Sequence, residues 1–239
     1  MPDQYTYLAV DFFCIIFPFI FSFFPRFNFI REWRYFVLPC LITALFFIVW
    51  DVLFTYLGVW GFNPQYVLGY FWFGLPLEEY LFFICIPYAC VFTYHCLGLF
   101  FTFSAARHTI LFKWVLIGLL VLIGLMFLPR LYTSVTFILL SAFLSFLSYR
   151  KVPYLPQFFF CYFLILIPFF ISNGILTGSI LQRTVVMYSR HHNLGIRMFT
   201  IPLEDAFYGM LLLLMNTSGY EYMKRRTFAK QNQEITVGK

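Results

Sequence analysis

The chain has 239 residues, 62% of them hydrophobic and only 11% charged, with a formal charge of +6. Soluble domains run near half apolar and a quarter charged, so this balance excludes an ordinary water-soluble enzyme and indicates a polytopic membrane protein. The positive charge sits in short loops and the tail, which is the pattern of topology signals and not of a nucleic-acid surface.

Tyr5 to Phe24 is a first span of about the length the hydrocarbon core requires. It lacks a basic leading region and a small-residue cleavage site, so it is read as retained and not as a signal peptide. Asp11 lies inside it. Arg26, Arg31 and Arg34 precede a second span, Tyr35 to Thr55, with Trp50-Asp51 near its end. A charge-free aromatic loop, Tyr56 to Tyr66, leads on to a third span, Pro76 to Phe100. Arg107, His108 and Lys113 precede a short fourth span, Trp114 to Leu128, and Pro129-Arg130 a fifth, Leu131 to Leu147. Arg150-Lys151 introduce the sixth, Leu155 to Leu176, which ends in Asn173-Gly174. The loop from Thr177 to Thr200 is the longest and is basic, with Arg183, Arg190, His191, His192 and Arg197. A seventh span, Ile201 to Met215, leads to a polar tail holding Lys224, Arg225, Arg226, Lys230 and Lys239. The six cysteines, Cys14, Cys40, Cys85, Cys90, Cys96 and Cys161, lie in or beside apolar runs without C-x-x-C spacing, so they are read as small apolar residues and not as disulfides or zinc ligands.

Placing the N-terminus outside puts twelve of the sixteen Lys and Arg on the inner side, tail included, and leaves four outside. Arg183, Arg190 and Arg197 are exceptions to that bias and are assigned some task other than setting topology.

One stretch recurs. Leu68-Gly69-Tyr70-Phe71-Trp72-Phe73-Gly74-Leu75-Pro76-Leu77-Glu78-Glu79 reappears 126 positions later as Leu194-Gly195-Ile196-Arg197-Met198-Phe199-Thr200-Ile201-Pro202-Leu203-Glu204-Asp205. The expected fold is therefore an all-α membrane protein of seven transmembrane helices, with two three-helix repeats (1–101 and 131–220), a connector helix (102–130) and a polar cytoplasmic tail (221–239). Equivalent helices are four crossings apart and point the same way, so both acidic motifs open at one membrane face.

Pro followed by acids is also an ordinary helix start, since Pro loses no needed N–H there and the helix dipole favours carboxylates. Two such starts in a chain with ten acids ask for more, because ionisable groups at membrane depth cost roughly 2.5–3.5 kcal/mol and usually have a partner or a task. Glu78, Glu79, Glu204 and Asp205, brought together in a water-poor pocket, cannot all ionise. One stays protonated while a neighbour remains an anion, which supplies a proton to give and a base to take one back. Trp60, Phe62, Asn63, Tyr66, Trp72 and Tyr80 near the first motif, and Tyr188, Phe207 and Tyr208 near the second, are the candidates to face substrate, the aromatics offering π-faces to a developing cation. This combination suits protonation of an isoprenoid double bond followed by cyclisation and proton loss.

Trp50-Asp51-Val52-Leu53-Phe54-Thr55, Gly58-Val59-Trp60-Gly61-Phe62-Asn63-Pro64, Pro76-Leu77-Glu78-Glu79 and Pro202-Leu203-Glu204-Asp205-Ala206-Phe207-Tyr208 together resemble the membrane-integral lycopene cyclases of the fused two-domain type. The resemblance implies a redox-neutral cyclisation of the linear ends of lycopene, or another linear carotenoid, to β-rings, giving γ-carotene and β-carotene. It sets the essential acids at Glu78 and Glu204, one of them the general acid, with Glu79 and Asp205 beside them. It implies the bilayer of a bacterial or archaeal cell as the setting and is compatible with association with other carotenoid-pathway enzymes. No G-x-G-x-x-G follows a strand, so neither a flavin nor any other cofactor, nor a metal, is expected. The sequence departs from an exact repeat at Arg197, which stands where the first copy has Phe71.

Other readings compete. Asp11 and Asp51 can be hydrogen-bonded helix-packing groups or proton relays, and His191-His192 a surface pair. A retinal receptor needs a lysine within a helix, and the seventh span has none. A di-iron hydroxylase needs more than four scattered histidines. A proton-coupled transporter or carrier of an apolar small molecule is the remaining alternative.

Overall fold

A computed structural model describes residues 3–104 and 107–237. Among these residues seven long helices make the body of the protein: α1 (Thr6–Phe21), α2 (Trp33–Tyr56), α3 (Leu77–Phe100), α4 (Arg107–Met126), α5 (Leu131–Tyr149), α6 (Leu155–Leu176) and α7 (Leu203–Val237). Six are long and apolar enough to cross a membrane, and α7 is apolar over its first half only. Apolar residues cover all sides of these helices. Ile42, Leu45 and Leu53 of α2 and Leu111 and Leu122 of α4 are exposed, as side chains facing lipid should be.

Two helices run further than the apolar pattern predicts. α4 starts at Arg107, before the expected Trp114, because a polar first turn does not interrupt backbone hydrogen bonding and Lys113 lays its chain over the Trp114 ring, 5.2 Å away. α7 continues through the polar tail to Val237, supported by Glu221–Arg225 at 3.2 Å one turn apart and by Lys224, whose Nζ lies 2.8 Å from Glu32 beside the start of α2. Lys239, counted among the tail's basic residues, lies outside the described residues, as do the side chains of His108 and Lys230.

α1 packs on α3, α5 on α7 and α4 on α5, while α7 also lies along α2 and α6 touches α3, α7 and α1. Where α2 meets α7, Gly219 faces Pro39 so closely that a Cβ there would stand 2.5 Å from the proline Cβ. Such close approach is the usual role of a small residue between membrane helices.

The loops at the start of α3 and α7 carry short strands that no periodicity announced. β1 (Trp60–Phe62), from the loop before α3, pairs antiparallel with β4 (Val186–Tyr188), from the loop before α7. Each acidic motif also enters its helix through a tight hairpin: β2 (Phe71–Trp72) with β3 (Leu75–Pro76), and β5 (Arg197–Met198) with β6 (Ile201–Pro202). The first turn has positive φ at both Phe73 (50°) and Gly74 (84°), whereas in the second only Phe199 (58°) is positive. That difference explains why glycine stands at 74 while Thr200 serves in the other copy.

Candidate active site

Consecutive residues on a helix point about 100° apart, so the two acids of each motif cannot face the same way. Glu78 and Glu204 turn back toward their own loops. Glu78 Oε1 accepts the Leu68 backbone N–H at 2.7 Å, and Glu204 Oε1 accepts that of Leu194 at 2.6 Å together with the Thr133 hydroxyl at 2.6 Å. Both side chains are fully buried, and the second oxygen of each has no partner.

Glu79 and Asp205 turn the other way, into one apolar cavity of about 270 Å³ enclosed by α1, α3, α6 and α7. Asp51 of α2 lines the same end of it. Glu79 accepts the Tyr7 hydroxyl at 2.6 Å, and Asp51, on the wall of the same cavity, accepts the Tyr208 hydroxyl at 2.7 Å. Asp205 accepts three donors: Tyr132 at 2.6 Å, Tyr188 at 2.8 Å and the Asn173 amide at 2.8 Å. Tyr188, on β4 and outside the helices, has its phenol held well above the usual value by burial first and by the Asp205 carboxylate second, so it remains a donor.

Trp60, Tyr132, Tyr188 and Tyr208 enclose this end, with Trp60 5.0 Å from Tyr132 and 6.0 Å from Tyr208, and Tyr132 stacked on Tyr188 at 6.0 Å. The β1–β4 pair forms the roof. Alternation along a strand sends Trp60 and Phe62, and Val186 and Tyr188, to the cavity side and leaves Met187 exposed. From Glu79 to Thr93 the lining follows α3 for fourteen residues, about 21 Å at 1.5 Å each, and Gly209 opens space on α7. The cavity is thus elongated, and among the described residues no Lys, Arg or His lines it. A second cleft, between α2 and α5, is lined by apolar side chains such as Ile42, Phe46, Val49 and Leu139, with no ionisable group among the described residues that line it.

Of the residues expected to face substrate, Trp60, Phe62, Tyr188 and Tyr208 line the cavity. Asn63, Tyr66, Trp72 and Tyr80 do not. Asn63 caps the short turn at Gln65 and reaches Thr184 O, Tyr66 OH accepts the Arg183 N–H, and Tyr80 donates to Trp72 O, where Trp72 sits exposed on the hairpin. Phe207 packs on Phe137 at 4.9 Å. Arg183, Arg190, Arg197 and His191 are exposed and away from the cavity. Sequence reasoning missed Tyr7 and Tyr132, which stand near the starts of the first and fifth helices and would emerge from extending the repeat comparison beyond the acidic motif. Asp51 and Asn173 were noticed without a site role.

The fold and the cavity define a helical membrane protein whose acids meet in a narrow apolar pocket. Residues 4–97 and again 129–223 match the lycopene cyclase family model, and the chain belongs to that family, enzymes of carotenoid cyclisation with a carotenoid substrate in a membrane setting. No curated protein and no solved structure matched the chain.

Proposed function

We propose that this protein cyclises the linear ends of lycopene, or of a related linear carotenoid, by acid catalysis inside the acid-lined cavity. The observation that supports this most is the meeting of Glu79 and Asp205, from the two repeated segments, at one aromatic end of an elongated apolar cavity. A proton adds to C2 of the linear end, the C1 cation is attacked by the C5–C6 double bond, and loss of the C6 proton forms the β-ring. One proton enters and one leaves, so the reaction is an isomerisation without change of oxidation state. Trp60, Tyr132, Tyr188 and Tyr208 present ring faces to the cation, an interaction worth about 2 kcal/mol or more where water is excluded. Glu78 and Glu204 hold the loops that aim their neighbours and do not meet substrate.

A cavity of about 21 Å receives one end of the molecule while the remainder of the polyene stays in the bilayer. With the α2–α5 cleft lacking acids, the two ends react in turn at a single composite site. The repeats, 1–101 and 131–220, are parallel and joined by a connector (102–130) that contains α4, with the site at the outer face and the tail (221–239) in the cytoplasm. A bacterial or archaeal cell membrane, and association with other pathway enzymes, extend the family resemblance.

Expression in lycopene-accumulating cells, and purified protein in nanodiscs without an ion gradient, test the reading together. Cyclic carotenoid in both is expected. Folded protein that yields none in either would refute it, and ion-gradient-dependent movement of a solute would favour the transporter reading.

A further inference from the structure

The two repeated segments build the same hydrogen-bonded unit with one telling difference. In the first, a tyrosine near the start of α1 (Tyr7) donates to the second acid of the motif (Glu79); in the second, Tyr132 at the start of α5 donates to Asp205, each at 2.6 Å. Near the end of the middle helix of each segment a third group completes the unit. In α2 it is Asp51, which shares the cavity wall with Glu79, and in α6 it is Asn173, which donates to Asp205 at 2.8 Å.

The chemistry of these two partners differs in kind. Two buried carboxyl groups on the wall of one water-poor cavity, with no Lys, Arg or His among the described residues that line it, cannot both ionise. The Glu79–Asp51 pair therefore holds one proton. An asparagine amide brings its own hydrogens, and with Tyr132 and Tyr188 it gives Asp205 three donors, the environment of a carboxylate anion. The groups around the acid pair do not upset this division. They are Tyr7, Asp11 and Cys14 on α1, Glu78 on α3, Tyr132 on α5, Asp205 and Tyr208 on α7, and Tyr188 on β4, and none is a cation.

Resting on the cyclase reading, we propose that Asp51 and Asn173 assign the two catalytic roles: Asp51 keeps on the Glu79 pair the proton delivered to C2, and Asn173 keeps Asp205 the anion that steadies the cation and removes the C6 proton. After ring closure Asp205 carries the proton that the pair has lost. Its passage back to Glu79–Asp51, across the cavity end they share, resets the site with no net uptake or release.

The test compares wild type with Asp51→Asn, Asp51→Glu and Asn173→Asp in nanodiscs, measuring lycopene cyclisation over a range of pH and infrared spectra of the carboxyl stretch in water and heavy water. Asp51→Asn should lower the rate by about 100-fold or more, with residual activity displaced to lower pH. Asp51→Glu should recover to within about tenfold of wild type. A protonated-carboxyl band, shifted by heavy water, should be present in wild type without substrate and lost in Asp51→Asn. Asn173→Asp should gain such a band and lose rate, because Asp205 then shares a proton.

Cyclisation by Asp51→Asn within about threefold of wild type with an unchanged pH profile would overturn the assignment, as would an unchanged infrared band. If Asp51→Asn does not fold, an Asn173→Asp protein with wild-type rate and spectrum overturns it equally. A wild type that shows the band but never cyclises lycopene defeats the cyclase reading and leaves the shared proton standing, so the two failures are told apart.

Discussion

The division between loop-holding and cavity-facing acids makes Glu204→Gln and Glu79→Gln unequal, although both replace one glutamate in a motif start. Glu204 Oε1 accepts two bonds, from Leu194 N–H and the Thr133 hydroxyl, and a glutamine carbonyl can accept both. The change exchanges two charge-assisted bonds of roughly 1.5–3 kcal/mol each for neutral ones of roughly 0.5–1.5, a loss of about 2–3 kcal/mol of stability in all. Glu204→Leu instead leaves two donors unsatisfied, at roughly 1–3 kcal/mol each. Neither removes a group from the cavity, so Glu204→Gln should keep cyclisation within about tenfold of wild type. Glu79→Gln takes away a carboxyl that lines the cavity and should cost about 10²- to 10⁴-fold. Purified variants in nanodiscs, matched for thermal stability and assayed by pigment chromatography, give the comparison. If Glu204→Gln is as inactive as Glu79→Gln while remaining as stable as wild type, Glu204 has a chemical role and the division is refuted.

Trp60→Ala removes one wall of the aromatic enclosure and should slow cyclisation by about 30-fold, the equivalent of about 2 kcal/mol of lost cation stabilisation, with less effect from Trp60→Phe; single-turnover rates would show it. At Gly209 an added Cβ would meet Phe169 only at 3.7 Å, so Gly209→Ala should be tolerated and stabilise α7 by about 0.5–1 kcal/mol, while Gly209→Phe should block the cavity and abolish conversion of a fully folded protein. Gly219→Ala drives a Cβ into Pro39 on the helix contact and should lower stability by about 1–3 kcal/mol in thermal denaturation without touching the cavity.

Much of the fold was legible because a membrane helix must announce itself. α5 and α6 begin at the expected residues, since a run of apolar side chains is what the bilayer requires. The strands were not, because Trp60–Phe62 and Val186–Tyr188 are three residues each and their partners lie more than a hundred positions apart. No local period can report such a pairing. The end of α7 was missed for the opposite reason, that polarity ends a membrane span but not a helix. At the site, the repeat named two acids per motif, of which Glu79 and Asp205 line one cavity while Glu78 and Glu204 bond to their own loops. It could not say which of each pair faces the cavity, as adjacent positions differ only by their rotation about the helix axis, and that rotation is set by the Leu68 and Leu194 bonds to the outer glutamates.

Acids that face one cavity with no cation among the described residues of its wall cannot all ionise, and a strictly symmetric pair of units would not decide which of them keeps a proton. Duplication explains how two tyrosine–acid pairs come to meet across a common roof, but identical pairs would supply two donors or two acceptors of a proton, and the proposed reaction needs one of each. The exchange of a carboxyl for an amide at the third position, Asp51 against Asn173, is the smallest change that separates them, since the two side chains have nearly the same shape and opposite hydrogen-bonding sense. On the proposal of a single composite site, acids in the apolar cleft between α2 and α5 would add only the cost of buried charge.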